Sequence, residues 1–132
     1  PSVLDDYGLL AALRWYAQQL GRRSGQTVLV ANAGAEPRLP AAAETALFRV
    51  AQEALTNVIK HARAAQAEVR LETDAGRARL VIADDGVGFD PGLRRGGWGM
   101  VNMRERVEAV GGRLHVESQP GRGATITVEV DL

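Results

Sequence analysis

The stretch Phe48 to Ala64, FRVAQEALTNVIKHARA, ends in a change of period that limits this chain more than any other feature. At about 100° per residue, Leu47, Val50, Ala51, Ala54, Val58 and Ala62 fall on one apolar stripe of a helix. Beyond Ala64 the period becomes 2. Glu68 to Thr73 (EVRLET) and Arg77 to Ala83 (RARLVIA) flank Asp74-Ala75-Gly76, which predicts two strands joined by a tight hairpin. A helix with one apolar stripe next to strands with one apolar face has to be buried against them, as a layer of helix on a layer of sheet.

The same helix carries a polar arc beside its stripe. Glu53, Asn57, Lys60 and His61, spaced i, i+4, i+7 and i+8, point a carboxylate, an amide, an ammonium and an imidazole toward one place. Such a row borders a cleft. It is equally the pattern of a solvated face whose Lys60, His61 and Arg63 suit the negative end of the helix dipole.

Around this centre the chain alternates. Asp5 to Leu20 places Leu9, Leu10, Leu13, Ala17 and Leu20 on one helical stripe, with Gly21 as its stop. Trp15 and Tyr16 on this helix read as packing residues. Gln26 to Ala31 predicts a short strand and Asn32 to Arg38 a turn. Pro40 suits the first turn of the central helix, and Glu44 suits its positive end. Asp90 to Gly99, rich in Gly, Pro and Arg, is a loop. Met100 to Val110 returns to helical spacing until Gly111-Gly112, and Arg113 to Glu117 and Ala124 to Val130 are two further strands. The expected fold is α+β: a two-layer sandwich of about five mainly antiparallel strands with three helices on one face.

Composition narrows the function. A chain of 132 residues forms one domain, burying roughly two-thirds of its unfolded surface. Sixteen basic and sixteen acidic residues give zero formal charge, so neither nucleic acid nor an anionic membrane is an expected partner. The absence of cysteine excludes disulfides and thiolate metal sites. No apolar run approaches the roughly 20 residues that span a bilayer, and no signal peptide is legible. The expected setting is cytoplasmic, within a parent protein that is itself free to be membrane-anchored. Helix-like sequence starting almost at Pro1 suggests an excised piece.

Three Gly-x-Gly units remain, at Gly86-Val87-Gly88, Gly97-Trp98-Gly99 and Gly121-Arg122-Gly123. None has the third glycine of a dinucleotide fingerprint, and no Walker A sequence exists. Asp84-x-Gly86-x-Gly88 puts a carboxylate at a strand end, followed by two positions that admit a flat ligand close to the backbone. A carboxylate accepts hydrogen bonds, so its base partner is an exocyclic amine such as that of adenine. Asp85-Gly86 also suits a plain hairpin, although no pairing strand follows nearby. Gly97 and Gly99 precede a helix whose free amides and dipole favour an anion, and they also suit a flexible loop. The third unit reads as a hairpin.

Taken together, a helix with Glu53, Asn57 and Lys60, then Asp-x-Gly-x-Gly, then Gly-x-Gly before a helix, then Gly-x-Gly before a strand resembles the GHKL (Bergerat) ATP-binding fold. Within it, QEALTNVIKHARA, DDGVGFD and GMVNMRERVEAVGG are similar to the catalytic ATP-binding domain of a sensor histidine kinase of the NarL/DesK type. The likeness covers essentially residues 1–132, as one catalytic domain without its sensor and dimerisation domains.

The resemblance implies ATP and Mg²⁺ as cofactors and Glu53, Asn57 and Lys60 as catalytic residues. Asn57 would ligate the metal, Glu53 would hold the metal or its water, and Lys60 would touch phosphate. Asp84, Gly86 and Gly88 would receive adenine, Gly97 and Gly99 would close on phosphate, and His61 and Thr125 would complete the site. Ala124 separates Gly123 from Thr125, which departs from the family pattern. The implied reaction gives the γ-phosphoryl to a histidine on a separate helical dimerisation domain, from which a response regulator takes it. The implied parent is a homodimer and the isolated domain a monomer that does not autophosphorylate alone. The alternatives are another GHKL enzyme, either a gyrase, Hsp90 or MutL kind of ATPase or an anti-sigma serine kinase, and a non-catalytic ATP-sensing module.

Overall fold

A computed structural model describes residues 2–34, 38–62, 66–74, 76–87 and 100–132. Helices α1 (Ser2–Tyr7) and α2 (Leu9–Ser24) lead to strand β1 (Thr27–Ala33), then helix α3 (Ala41–Asn57), which continues as a π-helical turn over Val58–Ala62. Strands β2 (Gln66–Asp74) and β3 (Arg77–Asp84), helix α4 (Met100–Glu108), and strands β4 (Gly112–Ser118) and β5 (Ala124–Asp131) follow.

The five strands form one sheet in the order β1-β2-β3-β5-β4. Among the described residues β1 and β2 run parallel and the pairs β2–β3, β3–β5 and β4–β5 are antiparallel. A parallel pair needs a crossover, and α3 supplies it. Register then decides which side chains share a face. Val69 pairs with Ile82, Ile82 with Ile126 and Ile126 with Val116, while on the alternate positions Glu72 pairs with Arg79 and Arg79 with Glu129. One face is therefore apolar and covered by helices. The other is a solvated lattice of opposite charges, with Arg79 3.4 Å from Glu72 and Arg113 3.2 Å from Asp131.

On α3 and the first residue of the π turn, Leu47, Val50 and Ala51 are fully buried and Ala54 and Val58 nearly so, as the expected apolar stripe requires up to Val58; the side chain of Ala62 lies outside the described residues. Burying one such large side chain contributes about 1.5–3 kcal/mol. Tyr16 of α2 sets its ring edge-on to Phe48, with centroids 5.9 Å apart at 76°, whereas Trp15 stays 40% exposed.

The first expected helix departs from expectation at two glycines. The first helix is broken at Gly8, whose φ of +90° no side-chain-bearing residue adopts easily, so among the described residues four α-helices stand where three were expected. Gly21 does not stop α2. The helix runs to Ser24 and ends at Gly25 in the left-handed conformation, whose amide donates to the Gly21 carbonyl at 3.0 Å. A glycine is compatible with a helix interior and with a helix end, and here the second glycine supplies the cap. β1 also extends two residues past Ala31, because its parallel register with β2 holds to the pair Ala33 and Glu72.

Candidate functional site

Asp84 is the last residue of β3 and lies on the helix-covered face, two positions after buried Ile82. It pairs with Ala67 on one side and Ala124 on the other. Its carboxylate Oδ1 accepts the Gly86 amide at 2.8 Å, which folds the chain back just beyond the strand. Burial pushes the Asp84 carboxyl above the ordinary carboxylate range. The Gly86 amide opposes that rise, the neighbouring Asp85 charge adds to it, and the Ala124 amide opposes it again. Among the described residues no cation pairs with Asp84.

The pocket beside this carboxylate has Asn57 in its lining, with Ala54, Val58, Ile82, Met100 and Ile126 as apolar walls. Strand β3, the end of α3, the start of α4 and strand β5 therefore meet at one place. Asn57 is buried, further under the helix than an arc beside the stripe suggests. Glu53 is exposed and lines the neighbouring cleft between α3 and α4, with Asn102 and Arg106 opposite. Lys60 is exposed on the π turn. There each residue advances the helix by a smaller angle than the regular wheel assumes, so that wheel does not by itself place Lys60 relative to Glu53 and Asn57. The side chain of His61 and the residues Gly88, Gly97 and Gly99 lie outside what is described.

Thr125 takes a different position from the one expected of a pocket residue. It pairs with Ala83 and Glu117, on the solvated face of the sheet, while Ala124 is the residue opposite Asp84 and in the pocket lining. Successive strand residues point to opposite faces, so the hydroxyl at 125 faces away from the Asp84 carboxylate.

The third Gly-x-Gly unit, read from the sequence as a hairpin, also reaches the strand end of Asp84. Gly123 has φ +73°, and a side chain there would run into the backbone of Asp84. The Gly121 amide donates to the Val87 carbonyl. The third Gly-x-Gly unit is thus a buttress under the strand end that carries Asp84. Its signal was present, but only the β3–β5 pairing reveals what it touches.

Among the described residues no group of three or more His, Asp or Glu side chains could hold a metal alone. The oxygen donors of Glu53 and Asn57, one turn apart, nonetheless fit Mg²⁺, which takes one or two protein oxygens together with phosphates and waters.

Residues 42–132 match the family described as histidine kinase-, DNA gyrase B- and HSP90-like ATPases, and the chain belongs to that family. It is 42% identical over 132 residues to the sensor histidine kinase MctS of Rhizobium johnstonii, covering 96% of this chain and 28% of the relative. It is 37% identical over 131 residues to the signal transduction histidine-protein kinase/phosphatase DegS of Brevibacillus brevis, covering 98% of this chain and 34% of the relative. The chain thus spans about a third or less of these relatives. The fold matches the histidine kinase domain of the Erythrobacter litoralis EL346 blue-light-activated kinase with a TM-score of 0.73 at 24% identity, over 92% of this chain and 64% of that one. No helix among the described residues is long and apolar enough to cross a membrane.

Proposed function

We propose that this chain binds Mg-ATP and donates its γ-phosphoryl to a histidine on a separate helical dimerisation domain, in two-component signalling. The observation that carries the reading is the half-buried Asp84 carboxylate, with no cation partner among the described residues, sharing an apolar pocket with Asn57. Asp84 accepts a hydrogen bond from the exocyclic amine of adenine, and the apolar walls hold the base. Guanine would present a carbonyl to the same carboxylate and leave a buried acceptor unpaired, so ATP is preferred to GTP. Asn57 and Glu53 hold the metal and its waters, and exposed Lys60, with Gly97 and Gly99, meets the phosphates. Mg²⁺, when bound, neutralises charge that accumulates on the phosphate oxygens.

In the transfer an imidazole nitrogen of the acceptor attacks the γ-phosphorus. The bond from that phosphorus to the β–γ bridging oxygen breaks, and ADP leaves. The acceptor belongs to another domain. His115 pairs with Glu117 at 3.3 Å and lies in register with Thr127 on the solvated face, away from the pocket. The proposed parent is a cytoplasmic-facing, homodimeric sensor kinase, and its response regulator takes the phosphoryl group from the acceptor histidine.

The test supplies γ-labelled ATP and a separately purified acceptor domain. Label on the acceptor that is labile to acid, with none on this chain, is the expected result. Acid-stable label points to serine transfer, and steady phosphate release without an acceptor points to an ATPase; either overturns the proposal.

A further inference from the structure

We propose that Asp85, the residue after the base-facing carboxylate, is a positioning residue that releases the chain from the sheet so that Asp84 and Gly86 are held in their working geometry. The proposal rests on the reading of Asp84 as the adenine acceptor. Asp85 itself is exposed and lines no part of the pocket.

The observation is an exchange of one backbone acceptor for a side chain. In an antiparallel ladder, residues paired by hydrogen bonds exchange two N–H···O=C bonds. The step after Ala67 and Asp84 brings Gln66 opposite Asp85. One bond is ordinary: the Asp85 amide donates to the Gln66 carbonyl at 3.3 Å. The other is not, because the Gln66 amide donates to the Asp85 side chain, at Oδ1, at 3.1 Å. The carboxylate takes the place of the Asp85 carbonyl. That frees the backbone to turn away one residue earlier than a full ladder step would allow. The turn brings the Gly86 amide back to Asp84 Oδ1 at 2.8 Å.

The placement gives this swap a consequence for the site. Gln66 opens β2 and follows the segment that leaves the π turn carrying Lys60, so the Asp85–Gln66 pair joins the base end of the site to the chain emerging from its phosphate end. On the far side the same strand end is buttressed by Gly121 and Gly123. Asp85 thus closes a two-sided clamp on Asp84–Val87. An aspartate is suited to this because its side-chain oxygen reaches backbone amides close in the chain or across one ladder step.

Asp85→Ala removes the acceptor, and Asp85→Asn keeps it with nearly the same shape. ATP affinity, in the presence of Mg²⁺, should fall about three- to tenfold in D85A, the range expected from losing one hydrogen bond. In D85N it should stay close to the parent, and the ATP-over-GTP preference should shrink in D85A alone. If D85A does not fold, Asp85→Ser, whose hydroxyl is too short to hold the same geometry, replaces it with the same expectation. D84N is titrated alongside. If D84N weakens ATP and D85A does not, Asp85 has no positioning role. D85N as weak as D85A, or an equal loss for ATP and GTP in D85A, also overturns it, since the effect then lies in charge or general stability. If D84N itself leaves ATP affinity unchanged, the reading of the base site fails and this proposal with it.

Discussion

Two carboxylates sink into this protein at opposite ends of strand β2, and their surroundings differ in one respect. Glu44, in the first turn of α3, is 3% exposed and bound by Arg38 through two hydrogen bonds of 3.2 Å, with the Leu39 amide donating at 3.3 Å. Asp84, at the end of β3, has among the described residues backbone amides and a second carboxylate as its polar neighbours. A guanidinium matches a carboxylate bidentately and leaves it little capacity for anything else. Amides at a strand end satisfy part of the carboxylate and leave acceptor capacity facing the pocket. The first carboxylate is spent on holding α3 to the α1–α2 junction, since Arg38 also donates to the Asp5 carbonyl at 3.3 Å. The second is kept for a ligand, at the cost of a charge that burial disfavours.

The sharpest way to break this contrast is Asp84→Asn. ATP affinity should drop by about 1.5–3 kcal/mol, the worth of a charge-assisted hydrogen bond, while thermal stability is unchanged or rises. Isothermal titration and a melting curve on the same sample check both halves, and a D84N protein that binds ATP like the parent removes Asp84 from the site. The pH dependence follows with its sign. Burial raises the Asp84 pKa in the folded state, so the stability this group contributes is fully present below its unfolded value and lost as pH rises through the folded one. ATP affinity runs the other way and falls as pH drops through the same range, because the charged acceptor is lost. D84N should flatten that acid limb, and an unchanged limb would assign it to another group.

Glu44→Ala should do the reverse. It leaves the buried Leu39 amide without its acceptor, a loss of about 1–3 kcal/mol in stability, with ATP affinity at saturating folding conditions close to the parent. A large loss of affinity in the folded variant would show that the two ends of β2 are coupled. Thr125→Val should have the smallest effect. A threonine on the solvated face should change ATP affinity by less than about 0.5 kcal/mol, and a clear loss by titration would bring its hydroxyl back into the site.

The parts of the fold that the sequence disclosed are those set by neighbours a few residues apart. The stripe Leu47, Val50, Ala51, Ala54, Val58 repeats at helical spacing, and the β2–β3 hairpin closes locally, with the Gly76 amide on Asp74 Oδ1 at 3.1 Å. Asp84 stood out because a carboxylate between an apolar strand and two glycines is chemically unusual. What stayed hidden depends on distant partners. Which of Ala124 and Thr125 faces the pocket is fixed by the register of β5 on β3, and a shift of one residue exchanges the two faces. The Asp85–Gln66 pair spans 19 residues and the Gly123 contact with Asp84 spans 39, so neither has a local signature. A wheel drawn at a constant angle likewise cannot show that the helix widens at Val58 to the π turn that carries Lys60.

The sheet's two borders meet a neighbouring molecule on different terms. Beside β4 the outward side chains are Arg113, His115 and Glu117, and a charged border is a poor template for another strand. Beside β1 the outward residues are Leu29 and Ala31, with Leu29 44% exposed. With zero formal charge the chain has no long-range repulsion to keep copies apart, so of the two borders β1 is the more open to a neighbouring strand. Leu29→Lys should raise the concentration at which light scattering first detects aggregates, and a matching charge added at β4 should not.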